Sequence, residues 1–450
     1  MTAARPLLSW YGDDFTGASA VAETLTFAGV PAVLFLGIPD GERVQRFAAA
    51  RAFGIAGVAR AKSPAWMDGA LPPLFRALSA FNAEITQYKV CSTFDSAPEI
   101  GSIGHAAELA APILGGRWSP QLAASPAVGR YQAFGNLFAR AEEAIWRLDR
   151  HPTMRRHPVT PMTEADLCRH LAGQTPTPTA LIDLVAMKEG RADMVLAAAI
   201  AAGAQIVSLD VVDEETLREA GRLIWEHRGE RLFAIGSQGL EEALIAYWRH
   251  AGLLAAAPPP PRAPAVAHVA AVSGTCSPIT AVQIAWAEAH GFRAIRIDAA
   301  AAVDPGRWDT LVKEAAAAAL ASLGQGEDPI VFTSRGPEDP AAAHLATALA
   351  QSGADAEEVH ERIGVGLGRI LAEIRREARL DRLIIAGGDT SGRAIGALGI
   401  AALTAAAPTD AGAALFEAHG ADASAPRFEV ALKGGQMGSR DYFARIKAGR

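Results

Sequence analysis

Cysteine is scarce in this chain of 450 residues. Cys91, Cys168 and Cys276 are the only three, far apart and in no CxxC pair. An odd, dispersed set of thiols excludes a disulfide framework and a four-cysteine zinc site. It fits a reducing compartment, and the cytoplasm is the expected location. A basic excess is also missing, since 42 Lys and Arg against 49 Asp and Glu leave a net charge of −7. Proteins that live on nucleic acid or anionic lipid usually carry the opposite balance, so neither nucleic acid nor membrane is expected as a partner. Long apolar runs are absent too. The most apolar stretch, residues 195–209, is interrupted by Gly203 and Gln205 and closed by Asp210, too short and too weakly apolar to span a bilayer. The start, Met1 to Trp10, lacks the apolar core of an export signal. The histidines form no HExxH. No GxxxxGK[ST] occurs, and no GxGxxG follows the first strand of either half, which removes the usual P-loop and dinucleotide signatures.

What is present is a globular composition, 50% hydrophobic and 20% charged, in a length that suggests two or three domains. Short apolar runs alternate with helix-like stretches throughout. Leu7–Tyr11, Ala32–Leu36, Phe53–Val58, Ile85–Val90, Leu181–Asp183, Gln205–Leu209 and Arg231–Ile235 read as strands. Residues 255–264 then read AAAPPPPRAP, a semi-rigid spacer in which proline removes backbone donors. The same pattern restarts beyond it with Val266–Val272, Ala294–Ile297, Ile330–Thr333, Leu383–Ala386 and Phe428–Leu432. Strands alternating with helices predict an α/β fold. The expected organisation is two α/β domains with mostly parallel sheets, residues 1–254 and 266–450, joined by a Pro-rich linker at 255–265. The active site is expected in the interdomain cleft, because ligands of open α/β sheets sit at the carboxyl ends of strands.

Four groups of residues fall at such strand ends. The first strand runs into Asp13-Asp14-Phe15-Thr16-Gly17-Ala18. Two adjacent carboxylates repel one another; one can cap the following helix, and the other can orient or deprotonate a substrate hydroxyl. The plainer reading is a capping turn. The fourth strand leads into Lys89-Val90-Cys91-Ser92-Thr93-Phe94-Asp95-Ser96, a cation, a carboxylate and hydroxyls that suit a polyhydroxylated anion, or else a turn entering the next helix. Gly236-Ser237-Gln238-Gly239 can present backbone N–H groups to an anion, or simply turn the chain. Beyond the linker, Ser273-Gly274-Thr275, Gly387-Gly388-Asp389-Thr390 and Lys433-Gly434-Gly435 would form a phosphate cradle if they converge, with Asp389 near a Mg²⁺ ion; taken one at a time they are ordinary glycine turns. Gly364, Gly366 and Gly368 fall in a helical run and read as packing. Cys91 has no histidine near it in sequence, which argues against a thiol nucleophile.

Taken together and in order, these blocks resemble the four-carbon acid sugar kinase family across essentially the whole chain. The resemblance rests on DDFTGA at Asp13–Ala18, CSTFDS at Cys91–Ser96, HPVTPM at His157–Met162, GSQGL at Gly236–Leu240, SGTCSPIT at Ser273–Thr280, GGDTSG at Gly387–Gly392 and the loop Lys433–Gly438. It implies a sugar-acid-binding N-terminal domain, a nucleotide-binding C-terminal domain, and ATP with Mg²⁺ as cofactors. By the same resemblance Asp13, Lys89, Ser92, Thr93, Asp95, Gly236, Ser237 and Gly239 bind the sugar acid, with Asp14 as the base. Ser273, Thr275, Gly387, Gly388, Asp389, Thr390, Gly434 and Gly435 hold ATP. The partners are a small sugar acid and ATP, with a homodimer left open.

Three blocks depart from the family pattern. Ser19-Ala20 replace its Thr-Asp, Ala97-Pro98-Glu99-Ile100-Gly101-Ser102 alter the second loop, and KGGQMG replaces KSGGFG. The substrate-loop changes resemble the branch acting on 3-oxo-isoapionate. Two other classes fit a two-domain α/β chain: an NAD-dependent hydroxy-acid dehydrogenase, which should carry the missing dinucleotide fingerprint, and a non-catalytic sugar-acid-binding protein, which would normally carry an export signal.

Overall fold

The computed structural model describes residues 5–157, 159–257, 259–410 and 413–450; the side chains of Asp389 and Thr390 lie outside that description. The chain divides into two compact units, Met1–Pro258 and Pro259–Arg450.

Unit 1 carries strands β1 (Leu8–Gly12), β2 (Ala32–Phe35), β3 (Ala52–Ala56), β4 (Ile85–Lys89), β5 (Ser119–Leu122), β6 (Arg130–Ala133), β7 (Asn136–Ala141), β8 (Ala144–Arg147), β9 (Thr179–Ile182), β10 (Ile206–Leu209) and β11 (Leu232–Gly236). Eight of them form a parallel sheet in the order β2-β3-β1-β4-β11-β5-β10-β9. β1, β4 and β11 are buried at every position, as expected for strands covered by helices on both faces. Tyr11, Leu71, Phe75, Leu78, Tyr88 and Ile235 pack together in one core cluster.

Unit 2 carries β12 (Ala270–Ser273), β13 (Phe292–Arg296), β14 (Asp328–Phe332), β15 (Arg382–Ala386), β16 (Ile400–Ala407), β17 (Leu415–Gly420) and β18 (Phe428–Lys433). The run β13-β14-β12-β15-β18 is parallel, and β18-β17-β16 continues it antiparallel. Its core includes Ala271, Ile284, Phe332, Ile384, Leu415 and Tyr442.

The two units repeat one arrangement. The first strand of each, β1 or β12, lies between the third (β3, β14) and the fourth (β4, β15), and the last parallel strand (β11, β18) lies beside the fourth. The chain therefore crosses from one side of the first strand to the other, and ligands collect at the carboxyl ends around such a crossing.

The expected α/β class is observed, but several elements differ from the sequence reading. β5 and the antiparallel hairpin sheet β6-β7-β8 interrupt unit 1 where no strand was expected. The strand expected at residues 266–272 is the shorter β12. β16 and β17 form an antiparallel extension that the Ala-rich sequence hid, because alanine favours helix and only pairing with a neighbour makes it a strand. Gly364, Gly366 and Gly368 do lie in a helix, Ala356–Ala378. A Cβ on each would come within 2.5 Å of Arg393, 2.4 Å of Trp308 and 2.3 Å of Ala394, in turn. These glycines allow close helix packing. Among the described residues no helix is long and apolar enough to cross a membrane.

Candidate active site

Because β3, β1 and β4 are neighbours, the turns leaving their carboxyl ends meet. The Asp13 N–H donates to the Lys89 carbonyl at 2.9 Å, and the Arg60 N–H donates to the Asp13 carbonyl at 3.0 Å. Asp14 is the N-cap of the helix Phe15–Phe27, its Oδ1 accepting from the Gly17 N–H at 2.9 Å. The capping role expected for one of the two carboxylates thus falls to Asp14. The pair is not left unshielded. Arg60 Nη2 donates to Asp13 Oδ1 at 2.7 Å and to Asp14 Oδ1 at 2.8 Å, and Arg60 Nε reaches Asp13 Oδ2 at 3.3 Å. Arg60 lies in the short turn Ala59–Ala61 after β3, where nothing in the sequence marked it out.

The two carboxylates are now distinct. Asp13 is 1% exposed and has both oxygens bound by Arg60. Burial raises its carboxyl to about 6, against the pull of Arg60 and with the repulsion of Asp14 added. The Asp14 side chain is 27% exposed, and its hydrogen bonds fall on Oδ1, leaving Oδ2 without a partner among the described residues.

Lys89 closes β4 and is 1% exposed, and its Nζ donates to the Val90 carbonyl at 2.7 Å. A Cβ on Gly17 would come within 2.9 Å of that Nζ and 2.4 Å of Asp14 Oδ1. The ammonium therefore lies against the first turn of the helix.

In the loop that follows, Phe94 is buried with φ +57°, a left-handed conformation that costs a non-glycine residue about 1–3 kcal/mol and must be held by its surroundings. Its N–H donates to the Cys91 carbonyl at 3.0 Å. Ser96 Oγ donates to the Phe94 carbonyl and pairs with His170 Nε2 at 2.8 Å. Asp95 is 8% exposed, and its Oδ1 has neither solvent nor a partner. Thr93 Oγ1 lies 3.0 Å from Cys91 Sγ, and Ser92 is half-buried beside them. Burial pushes the Cys91 thiol up, which leaves it a poor nucleophile.

The turn after β11 is different in kind. The Ser237 N–H donates to the Leu122 carbonyl, the Gly239 N–H to Ser237 Oγ, and Ser237 Oγ to the Ala123 carbonyl. A Cβ on Gly236 would sit 2.5 Å from the Leu122 carbonyl, and one on Gly239 1.8 Å from that of Ala124. These groups hold β11 against β5, and the N–H groups of Ser237 and Gly239, expected as donors to an anion, already have internal acceptors. The helix that follows, Gly239–His250, carries Glu241 fully buried with both oxygens unpartnered. Burial raises its carboxyl to about 8, against the pull of Lys89.

In unit 2 the strands β12, β15 and β18 are adjacent, so the three small-residue loops meet. The Gly274 N–H donates to the Ala386 carbonyl and the Gly387 N–H to the Lys433 carbonyl. Thr280 Oγ1 donates to the Gly435 carbonyl and accepts from Lys433 Nζ, both at 2.9 Å. A Cβ on Gly435 would lie 2.5 Å from Thr275 Oγ1. Gly387 has φ +120°, which only glycine adopts readily. It opens the helix Gly388–Ala397, whose amino end has no side-chain cap.

Two groups here fit an anion. Ser273 Oγ is fully buried with no partner. Lys433 is 1% exposed; among the described residues its Nζ meets Thr280 and carbonyl oxygens and lies over the Tyr442 ring, 5.7 Å from its centre, and burial lowers the group to about 8. The sequence places Lys433 in this loop but gives no sign of its role. A depression of about 600 Å³ opens at the carboxyl ends of β13 and β14, lined by Arg296, Thr333, Arg335, Asp339 and His344. Among the described residues no group of three or more His, Cys, Asp or Glu could hold a metal ion.

Two family models match the chain, a sugar-binding N-terminal domain over residues 8–244 and a nucleotide-binding C-terminal domain over residues 270–443. The chain belongs to the four-carbon acid sugar kinase family. A 3-oxo-isoapionate kinase of Paraburkholderia graminis is 44% identical over 444 residues, covering 99% of this chain and 94% of its own. A 3-oxo-tetronate kinase of Methylobacterium radiotolerans is 31% identical, over 97% of this chain and 98% of its own. Membership makes the chain a phosphotransferase with a hydroxyl acceptor and sets aside the dehydrogenase and the non-catalytic binding protein. Solved structures share the fold. A Salmonella typhimurium LT2 protein has a TM-score of 0.76 at 24% identity over 98% of both chains. A Haemophilus influenzae protein has a TM-score of 0.71 at 22% identity, over 97% of this chain and 98% of its own.

Proposed function

We propose that the chain is an ATP- and Mg²⁺-dependent kinase that phosphorylates a hydroxyl of a small branched oxo sugar acid of the 3-oxo-isoapionate type. The observation that carries this reading is the 44% identity to a 3-oxo-isoapionate kinase across 99% of the chain.

Unit 1 takes the sugar acid. Asp14 accepts the proton of the attacking hydroxyl through its open Oδ2, while its Oδ1 stays fixed by the helix and Arg60. Asp13 holds Arg60 in place. Asp95, with its unpartnered Oδ1, and the hydroxyls of Ser92 and Thr93 accept from and donate to the remaining hydroxyls. Unit 2 takes the nucleotide. Ser273, Thr275, Gly434, Gly435 and the uncapped amino end at Gly387 and Gly388 would hold its phosphates, with Lys433 supplying charge. ATP, when bound, supplies the phosphoryl group. Mg²⁺ is usually held by one or two carboxylates together with phosphate oxygens; Asp389 is proposed as such a carboxylate, and Thr390 as a neighbouring contact. Catalysis of this class is mostly positioning and charge stabilisation.

The test is ATP consumption measured over 3-oxo-isoapionate, 3-oxo-tetronates, threonate, erythronate and their neutral polyols. The expected result is the highest kcat/KM for the branched oxo acid. A higher value for a four-carbon acid overturns the substrate assignment, and no ATP consumption with any acid overturns the kinase reading.

A further inference from the structure

Among the described residues, Arg60, Lys89 and Arg130 reach the carboxyl edge of the unit 1 sheet, and they differ in what surrounds them. Arg60 is neutralised by Asp13 and Asp14. Lys89 is shut away from solvent, donates to the Val90 carbonyl, and acts electrostatically on Asp13, Glu241 and Glu242. Arg130 pairs with no carboxylate among the described residues. Its Nη1 meets only the carbonyls of Val128 and Gly129 at 3.2 Å and Arg140 at 3.5 Å. Its Nε is closed to solvent and has no acceptor. A guanidinium so placed keeps donors without an anion, an unfavourable arrangement that a carboxylate ligand would relieve.

The topology puts Arg130 at the same edge of the sheet as the site. It opens β6, and Ser125, three residues beyond β5, exchanges two backbone hydrogen bonds with it at 3.0 Å. Gln132 and Val211, the latter just beyond β10, exchange two more at 2.8 and 3.0 Å. The Asp210 carboxylate accepts from the N–H groups of Phe134 and Gly135. Both anchor points follow the carboxyl ends of adjacent parallel strands, so β6 is held at that edge of the sheet, where Asp14 and the loop Cys91–Ser96 lie. Cys91 and Asp95 act electrostatically on Arg130, as they do on Arg60. Arg130 in turn acts on His151.

We infer that Arg130 is the residue that binds the carboxylate of the sugar acid, while Lys89 serves the buried carboxylates around it. A guanidinium fork suits a carboxylate through two parallel hydrogen bonds, and Lys89 offers almost no accessible surface for one. This assignment rests on the sugar-acid kinase reading.

The experiment compares wild type with Arg130→Met, Arg130→Lys and Lys89→Met. It uses kcat and KM for 3-oxo-isoapionate and for the analogue whose carboxylate is reduced to a hydroxymethyl group. Arg130→Met should raise KM for the acid about 10- to 150-fold, the range for losing a charge-assisted hydrogen bond. It should leave kcat within about threefold and level the preference for acid over neutral analogue, and Arg130→Lys should recover part of that preference. Arg130→Gln, which keeps donors for the hairpin carbonyls, carries the same expectation should the Met variant fail to fold by circular dichroism. An unchanged acid preference in a folded Arg130 variant overturns the assignment, and so does a preference abolished by Lys89→Met alone. Wild-type protein that phosphorylates no acid overturns the kinase reading itself, and this assignment with it.

Discussion

Asp14 does two things with two oxygens. Oδ1 caps a helix and accepts from Arg60, and Oδ2 is left over. Asn in its place can still accept from the Gly17 N–H, since Asn and Asp cap helices about equally well, but it cannot take a proton from a hydroxyl. Asp14→Asn should therefore lower kcat by about 10²- to 10⁴-fold, with the melting temperature and KM changing little. Its neighbour sets the pH response. Asp13 is raised by burial to about 6, so it is protonated below that pH and ionised above it. When Asp13 is neutral, Arg60 keeps only the Asp14 carboxylate to neutralise and holds it more tightly, away from the substrate hydroxyl. kcat/KM should rise with pH through about 6 and then level, and Asp13→Asn should remove that rise while lowering the plateau. Near-normal turnover in Asp14→Asn would reassign the residue to capping alone.

The turns at strand ends were legible in the sequence because each has a local signature. Paired carboxylates before a helix, or glycines after an apolar run, keep their meaning whatever surrounds them. Arg60 and Arg130 were not legible. Each is one arginine in an ordinary turn or strand start, and only the strand orders β3-β1-β4 and β11-β5-β10 bring them to the site. The hairpin β6-β7-β8 escaped notice for a related reason: its strands are short, and their anchor, Asp210, lies about 75 residues further on. In unit 2 the loops were legible but their mutual contact was not. A Cβ at Gly435 would meet the side chain of Thr275, on a different loop, at 2.5 Å. Gly435→Val should thus push the two loops apart, an overpacking of roughly 1–3 kcal/mol. ADP affinity measured by calorimetry should fall about 5- to 150-fold, while sugar-acid binding stays as in wild type. Unchanged ADP affinity would remove this loop from the nucleotide site.

At the scale of the whole molecule, each unit has its own run of parallel strands and its own core cluster, and the four-strand arrangement around β1 is repeated around β12. A chain with two cores need not unfold in one step. Ligand binding then stabilises only the unit that binds, by about 2.7 kcal/mol at a hundred times Kd. For units of this size that corresponds to roughly 5–10 °C in Tm. Differential scanning calorimetry should resolve two transitions, with ADP and Mg²⁺ raising one and the sugar acid raising the other. The Gly435→Val variant assigns them, because it should shrink the ADP shift and keep the sugar-acid shift, whereas Arg130→Met should do the reverse. A single transition raised equally by either ligand would mean that the two cores unfold as one, and the division of binding between the units would then have to rest on the variants' affinities alone. Two transitions that both move with ADP would place nucleotide contacts on unit 1 as well and overturn the assignment of one ligand to each unit.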